Sequence, residues 1–307
     1  MVDAKLLIVG SVALDSIRTP HGSCERVLGG TAVYASCSAI HFAPTAVVGV
    51  VGEDFPVEHE QMLLDKTIDL TCLEKAEGNT FFWKGFYEGE MNEAITEDTQ
   101  LGVFETFSPK IPETHASVPF LFLGNIHPQL QLDVLDNMQG NPFVAVDTMN
   151  LWINITSDLL KQVISRVNLL VVNDGEARLL TGKTNVLLAA DELLNMGPKI
   201  VIIKKGSHGA MLFTQNSTFS IPAVPVRGAK DPTGAGDTFA GGFMGYLASR
   251  ENVDETVLRQ AMVVGTVMAS FTVEDFSLNR LGCVQKNEIE QRIQIMKDLT
   301  DFGAIQL

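Results

Sequence analysis

Residues 231–239 read Asp-Pro-Thr-Gly-Ala-Gly-Asp-Thr-Phe. Gly234, Ala235 and Gly236 leave the backbone bare, and an apolar helical pattern begins directly after Asp237. The first N–H groups of a helix have no intrahelical partner and sit at the positive end of the macrodipole, so bare amides there seat an anion. A carboxylate beside a resting phosphate would be repelled by it. It makes sense as a base that takes the proton of an attacking hydroxyl. Anion seat and adjacent base together predict phosphoryl transfer to an alcohol. Downstream, Phe239, Phe243 and Leu247 recur at i, i+4 and i+8, a core-facing stripe. Gly241, Gly242 and Gly245 each cost about 1 kcal/mol of helix propensity relative to Ala, so tertiary contacts must hold this helix.

Around this run, short β-branched stretches alternate with helical patterns. Strands are expected near 5–10, 46–51, 119–124, 143–147, 167–172 and 200–204. Helices are expected near 30–42, 56–67, 130–138, 158–165, 175–181, 187–196, 235–248, 254–270 and 286–299. The alternation predicts right-handed βαβ units and a mainly parallel sheet covered on both faces, a three-layer α/β/α fold. Ligands of such sheets bind beyond the carboxyl ends of the strands, where the 231–239 run would lie. Residues 12–24 and 71–107 break the pattern. The piece Thr80-Phe81-Phe82-Trp83-Lys84-Gly85-Phe86-Tyr87 has high strand propensity. These two stretches are expected to form a small β-sheet lid over the site. The rest divides into large-domain segments 1–11, 25–70 and 108–307.

The 307 residues are 46% hydrophobic, enough for a sizeable core. A net charge of −15 speaks against nucleic acid, whose binding needs Lys and Arg against phosphates. The apolar runs are too short to span a membrane, and Met1 to Lys5 leads into a short strand without the features of a signal peptide. Cys24, Cys37, Cys72 and Cys283 lack metal or disulfide spacing, as expected of reduced thiols in a cytoplasmic protein.

The 231–239 run, continued by Ala240-Gly241-Gly242-Phe243, resembles the C-terminal signature of the ribokinase-like (PfkB-type) carbohydrate and nucleoside kinases. Further elements stand in the family's order: Gly29-Gly30 opening a helix of small residues, Val51-Gly52-Glu53-Asp54, Asn173 with Glu176 as Asn-x-x-Glu, and Lys205-Gly206-Ser207-His208-Gly209. The resemblance covers the whole chain. It implies Asp237 as general base and the amides of Gly234, Ala235 and Gly236 as the hole for the transferring γ-phosphate of ATP. It implies that Asn173 and Glu176 organise Mg2+, largely through water. Thr233 and the segment from Lys204 to Gly209, with Lys205, Gly206 and Gly209 singled out, would border the nucleotide together with Ala261 and Gly265 from the 261–270 segment. Asp15, after the first strand, matches the aspartate that binds substrate hydroxyls, with Gly29 and Gly30 beside it. The family often uses a monovalent cation such as K+, for which Asp231 and the loop from Val273 to Gly282 could supply ligands. Its lid sheets sometimes pair two subunits, which the 71–107 segment could do.

The chain departs from the pattern at Tyr34, where ribokinases and many hexose kinases of the family carry an Asn that contacts substrate hydroxyls. A ring with one hydroxyl suits a nucleoside stacked against Phe82 or Trp83 better than free ribose or fructose. A phosphorylated sugar would call on Arg18, Arg26 or Lys84. His127 follows a strand and is expected as a loop residue. Thr181-Gly182-Lys183-Thr184 resembles the end of a P-loop but has Ala177 where the leading Gly belongs, so Gly182 reads as a helix C-cap. Gly234-Ala235-Gly236 begins a dinucleotide fingerprint whose third glycine would fall at Phe239, so a nicotinamide site is not expected.

Overall fold

Leu6, Leu7, Ile8 and Val9 are all fully buried, so β1 (Leu6–Val9) has a core on each face. Strands buried on both sides read as continuous apolar runs because helices cover each face of a parallel sheet. The computed structural model describes residues 4–91, 93–250 and 252–305; the chain ends of the sequence-defined domains at 1–3 and 306–307 lie outside that range. The other strands are β2 (Ala13–Thr19), β3 (Gly22–Gly29), β4 (Thr45–Val51), β5 (Asp69–Lys75), β6 (Phe81–Phe86), β7 (Ile95–Gln100), β8 (Phe120–Leu123), β9 (Phe143–Asp147), β10 (Leu169–Asn173), β11 (Ile200–Lys204), β12 (Ala210–Thr214) and β13 (Thr218–Ile221). The helices are α1 (Thr31–Ala39), α2 (Val57–Asp65), α3 (Glu113–Ala116), α4 (Pro128–Asn137), α5 (Asn150–Ile155), α6 (Ser157–Ile164), α7 (Asp174–Thr181), α8 (Val186–Asn195), α9 (Ala235–Ala248), α10 (Glu255–Thr272) and α11 (Lys286–Thr300).

Nine strands form the large sheet in the order β13-β12-β11-β10-β9-β8-β1-β4-β5. From β11 to β5 the pairing is parallel; β12 and β13 add an antiparallel edge. From β1 the chain builds outward through β4 and β5, then returns to β8 and builds the other way. The switch in direction opens a crevice at the carboxyl ends of β1 and β8. One core packs Leu6 and Ile8 against α1, α9 and α10. The other packs Leu7 and Val9 against α4, α6 and α8.

The glycines of α9 explain its placement. A side chain at Gly241 would collide with the Ala35 carbonyl, and one at Gly245 would press on Ala39, so α9 lies directly on α1. Phe239, Phe243 and Leu247 are buried. Burying each contributes about 1.5–3 kcal/mol, which offsets the glycine cost. The two helices run in the same sense, with Tyr34 beside Gly234 and Ala39 beside Gly245, so both N-termini meet at the crevice.

The second sheet, β3-β2-β6-β7, stands over that crevice. It differs from the expected lid at two borders. The first arm runs through Gly29 rather than ending at 24, because β3 pairs with β2 as far as Ala13↔Gly29. Residues 71–75 belong to β5 and pair in parallel with β4 in the large sheet. Gly182 ends α7 with φ +69°, the left-handed C-cap expected of it.

Candidate active site

Gly234 caps α9 with φ +75°. The backbone conformation alone favours glycine there. A second reason is steric: any side chain at 234 would overlap the ring of Tyr34. Tyr34 is thus not on an open acceptor wall. It is buried on α1, its ring beneath the Gly234 turn, and its hydroxyl has no hydrogen-bond partner among the described residues. Burial and the carboxylates of Asp15, Asp231 and Asp237 push that phenol up.

Asp237 follows in the first turn of α9. Burial, then the Asp147 carboxylate, pushes it up to about 7; Lys204 and a hydrogen bond with the Thr31 side chain act the other way. Thr31 is itself fixed, its N–H donating to Ser11 Oγ at 3.1 Å. A carboxyl poised near neutrality beside bare amides is suited to proton transfer.

Asp15, at the root of the lid, faces the same space. Burial, then Asp231 and Asp237, pushes it up to about 8, and the Gly30 amide hydrogen-bonds to it. Its carboxylate occupies the place a Gly29 side chain would fill. Gly30 has φ +95°. On β2 and β6 the register pairs Asp15 with Trp83 and Leu14 with Phe82. Paired residues of adjacent strands share a face, so Trp83 shares Asp15's face and Phe82 has the other one. Phe82 lies under Arg26, 5.6 Å from ring centroid to guanidinium carbon. Tyr87, just past β6, is held over the site: Thr233 Oγ1 donates to its hydroxyl at 3.2 Å. Thr233 therefore faces the lid rather than the nucleotide side.

Several expected contacts fall elsewhere. Arg18 and Lys84 both pair with Glu97, and Arg26 pairs with Asp54 at 2.9 Å, all at exposed positions. Those cations are committed outside the acceptor space. Ala261 and Gly265 are buried in α10, and a side chain at Gly265 would press on Phe239 of α9. They make a helix–helix contact, not a nucleotide wall. Lys205 N–H closes the turn at 206–208 on the Gly209 carbonyl (2.8 Å), with Gly206 and Gly209 at positive φ. His127 is the N-cap of α4, its Nδ1 accepting from Gln129 N. A hollow of about 700 Å3 near Phe42, Leu64 and Ile68 lies at the opposite end of the sheet from Asp237.

Asn173 and Glu176 form a reciprocal capping box on α7. Asn173 Oδ1 accepts from Glu176 N at 2.8 Å, and Glu176 Oε2 accepts from Asn173 N at 2.7 Å. Burial, then Asp147, pushes Glu176 up. Asp231 is buried; Oδ1 accepts from Thr233 N, the Ser277 amide also acts on the carboxyl, and Oδ2 has no close hydrogen-bond partner among the described residues. The 273–277 segment lies against it, Lys230 N donating to Val273 O at 2.7 Å.

Two contributors were not singled out in the sequence, Thr31 and Asp147; Lys204 was expected only as the start of the 204–209 segment. Asp147 ends β9 and is buried; Lys204 ends β11, and its Nζ donates to Asp147 Oδ2 at 2.9 Å. A charged residue closing an apolar parallel strand is the signal that could have found both.

A sequence model described as pfkB family carbohydrate kinase matches residues 129–280. A cytidine kinase of Thermococcus kodakarensis is 31% identical over 253 residues, 80% of this chain and 89% of that one. A nucleoside kinase of Burkholderia thailandensis, solved with inosine, superposes with a TM-score of 0.76 at 20% identity, covering 95% of this chain and 98% of the other. An E. coli protein described as a ribokinase II, solved with ATP and Mg2+, gives a TM-score of 0.75 at 19% identity, covering 95% and 99%.

Proposed function

The chain belongs to the PfkB family of carbohydrate kinases, and from that premise we propose how its own residues carry the reaction. It is an ATP-dependent phosphotransferase acting on an alcohol group of a nucleoside or sugar. The observation that carries the assignment of roles is the half-buried Asp237 carboxyl, pushed up to about 7 beside the bare amides of Gly234–Gly236. Asp237 takes the proton of the acceptor hydroxyl. The acceptor oxygen bonds to the γ-phosphorus as the bond to the β,γ-bridging oxygen breaks, and ADP departs with that electron pair. The amides of Gly234, Ala235 and Gly236 receive the charge of the moving group, a contribution of roughly 10²–10³-fold in rate per donor. Asp15 binds an acceptor hydroxyl, with Gly29 and Gly30 giving it room.

The residues present fit Mg2+ carried on the nucleotide. Asp147, Glu176 and Asp237 share one ammonium, that of Lys204, which leaves the site short of positive charge. When bound, Mg2+ neutralises phosphate oxygens. Glu176 would meet its water shell with the oxygen the capping box leaves over, and Asn173 would hold Glu176 in place. The orphaned Asp231 Oδ2 fits a monovalent cation such as K+ beside the 273–277 segment. The exposed turn at Lys205–Gly209 borders the nucleotide. The use of ATP supports a cytoplasmic location; among the described residues no helix is long and apolar enough to cross a membrane. The exposed edge strand β7 is where a second copy would pair through the lid.

As acceptor we favour a nucleoside, cytidine first. The half-buried Trp83 on Asp15's face offers a platform for a base. The cytidine kinase relative is matched over most of its length. The committed lid cations disfavour a sugar phosphate. The test is ADP release over a panel of nucleosides, pentoses, hexoses and sugar phosphates. Cytidine is expected to lead; a pentose, hexose or sugar phosphate turned over faster than every nucleoside sinks the acceptor assignment.

A further inference from the structure

We propose that Gln131 is the positioning residue that fixes the gap between the acceptor half and the nucleotide half of the site. This deepens the kinase reading and rests on it. Gln131 lies on α4 and is 1% exposed, so it acts from beneath the site rather than on a substrate. Its amide nitrogen carries two N–H donors, and both are used. Nε2 donates to the Gly124 carbonyl at 2.9 Å and to the Asp147 carbonyl at 3.2 Å. Gly124 follows the last residue of β8, and Asp147 is the last of β9. The two strands pair in parallel up to Leu123↔Val146, so the side chain bridges their ends one residue beyond the ladder. Oε1 has no hydrogen-bond partner among the described residues. Burying that oxygen unpaired works against the fold. What the amide contributes is the bridge its nitrogen makes.

Each carbonyl belongs to a different half of the site. Gly124 is locked to β1, its N–H donating to the Val9 carbonyl at 2.7 Å. A side chain at 124 would overlap Thr31, whose own side chain hydrogen-bonds to Asp237. Asp147 belongs with the strands beyond. It pairs with Val171 of β10, and its carboxylate accepts from Lys204 at the end of β11. One fully buried amide therefore joins the frame that carries the base to the frame proposed to carry the nucleotide. In-line transfer needs the acceptor oxygen and the phosphorus at near-attack distance, and a misplacement of about 1 Å costs on the order of 10²-fold in rate. Fixing the opening between β8 and β9 then matters more to turnover than to the binding of either substrate alone.

The experiment compares wild type, Gln131→Met, which keeps the volume and loses both donors, and Gln131→Glu, which keeps the shape and sets an acceptor against two carbonyls. Thermal melts give the folded fraction. Calorimetry gives Kd for cytidine alone and for the Mg2+ complex of β,γ-imido ATP alone, alongside kcat with ATP and cytidine. Gln131→Met is expected to lower kcat by roughly 10–10²-fold while each Kd stays within about three-fold of wild type. Gln131→Glu should lose at least as much. A role in packing alone would lower the melting temperature and leave kcat per folded molecule unchanged. A fall in kcat of less than about five-fold in Gln131→Met overturns the assignment, and so does a fall accompanied by a ten-fold or greater weakening of either ligand. If Gln131→Met does not fold, the same two limits are applied to Gln131→Glu. A wild type that phosphorylates no acceptor overturns the parent reading instead, so the two failures are distinguishable.

Discussion

Asp237, proposed above as the base, has a carboxyl raised at a cost to stability. Asp237→Asn keeps the shape and removes the base, so kcat is expected to fall by at least about 10²-fold while ADP affinity stays within a few-fold. If the Asn variant retained more than about a tenth of wild-type kcat, Asp237 would not be the base. The base works only when deprotonated, and its carboxyl sits at about 7. The kcat/KM for the acceptor is therefore expected to rise with pH and level off above about 7; a profile flat from pH 5.5 to 8 contradicts it. Asp237, the glycine run and Asp15 were legible because each stands in, or just after, a recognisable local pattern. Thr31 and Asp147 were not. They come from separate elements, and their common role exists only once the start of α1 and the end of β9 meet at one place. Tyr34 was legible as a departure, but residue type does not reveal which way a ring points. Its place is defined by a side chain that Gly234 lacks.

At the level of elements, the contact between α1 and α9 sets the chemistry's geometry. Gly241→Val drives a branched side chain into the Ala35 carbonyl. It is expected to destabilise the fold by about 1–3 kcal/mol in denaturant titration and to lower kcat further by shifting the α9 N-terminus. The lid is held down by the Thr233–Tyr87 hydrogen bond and by Ser277 Oγ donating to the Leu28 carbonyl at 2.5 Å. Losing the first is worth about 0.5–1.5 kcal/mol. Tyr87→Phe should loosen closure, raising ADP release without acceptor relative to release with it; an unchanged ratio speaks against a latch. Helix α9 and the interior strands were readable because their apolar periods are long or unbroken. β5 was taken for lid, since Asp69–Lys75 alternates like an edge strand. β12 and β13, Ala-Met-Leu-Phe-Thr and Thr-Phe-Ser-Ile, went unseen because they are short and form an antiparallel edge outside the strand–helix alternation.

For the whole molecule, the site works against the fold. Asp15, Glu176 and Asp237 all have carboxyls raised by burial. A raised carboxyl holds its proton in the folded state more tightly than in the unfolded chain. Its contribution is full below the ordinary range near 4 and is lost as pH climbs through about 7 to 8. Thermal stability without nucleotide is expected to drop between about pH 5.5 and 8.5, and Asp237→Asn should lessen that drop, raising stability at pH 8.5 by on the order of 1 kcal/mol. An equal fall in both proteins would locate the strain elsewhere.

The reversal of strand order at β1 has a consequence for inheritance. Asp15, Gly29, Trp83 and Tyr87, proposed above to face the acceptor, all precede β8, whereas Asp147, Lys204, Asp237 and the proposed anion seat all follow it. Recognition of what is modified and delivery of what modifies it are thus written in consecutive, non-overlapping stretches of the gene. A graft that replaces everything upstream of β8 with the matching stretch of a relative of different taste should move the preference for acceptor and leave the dependence on ATP where it was.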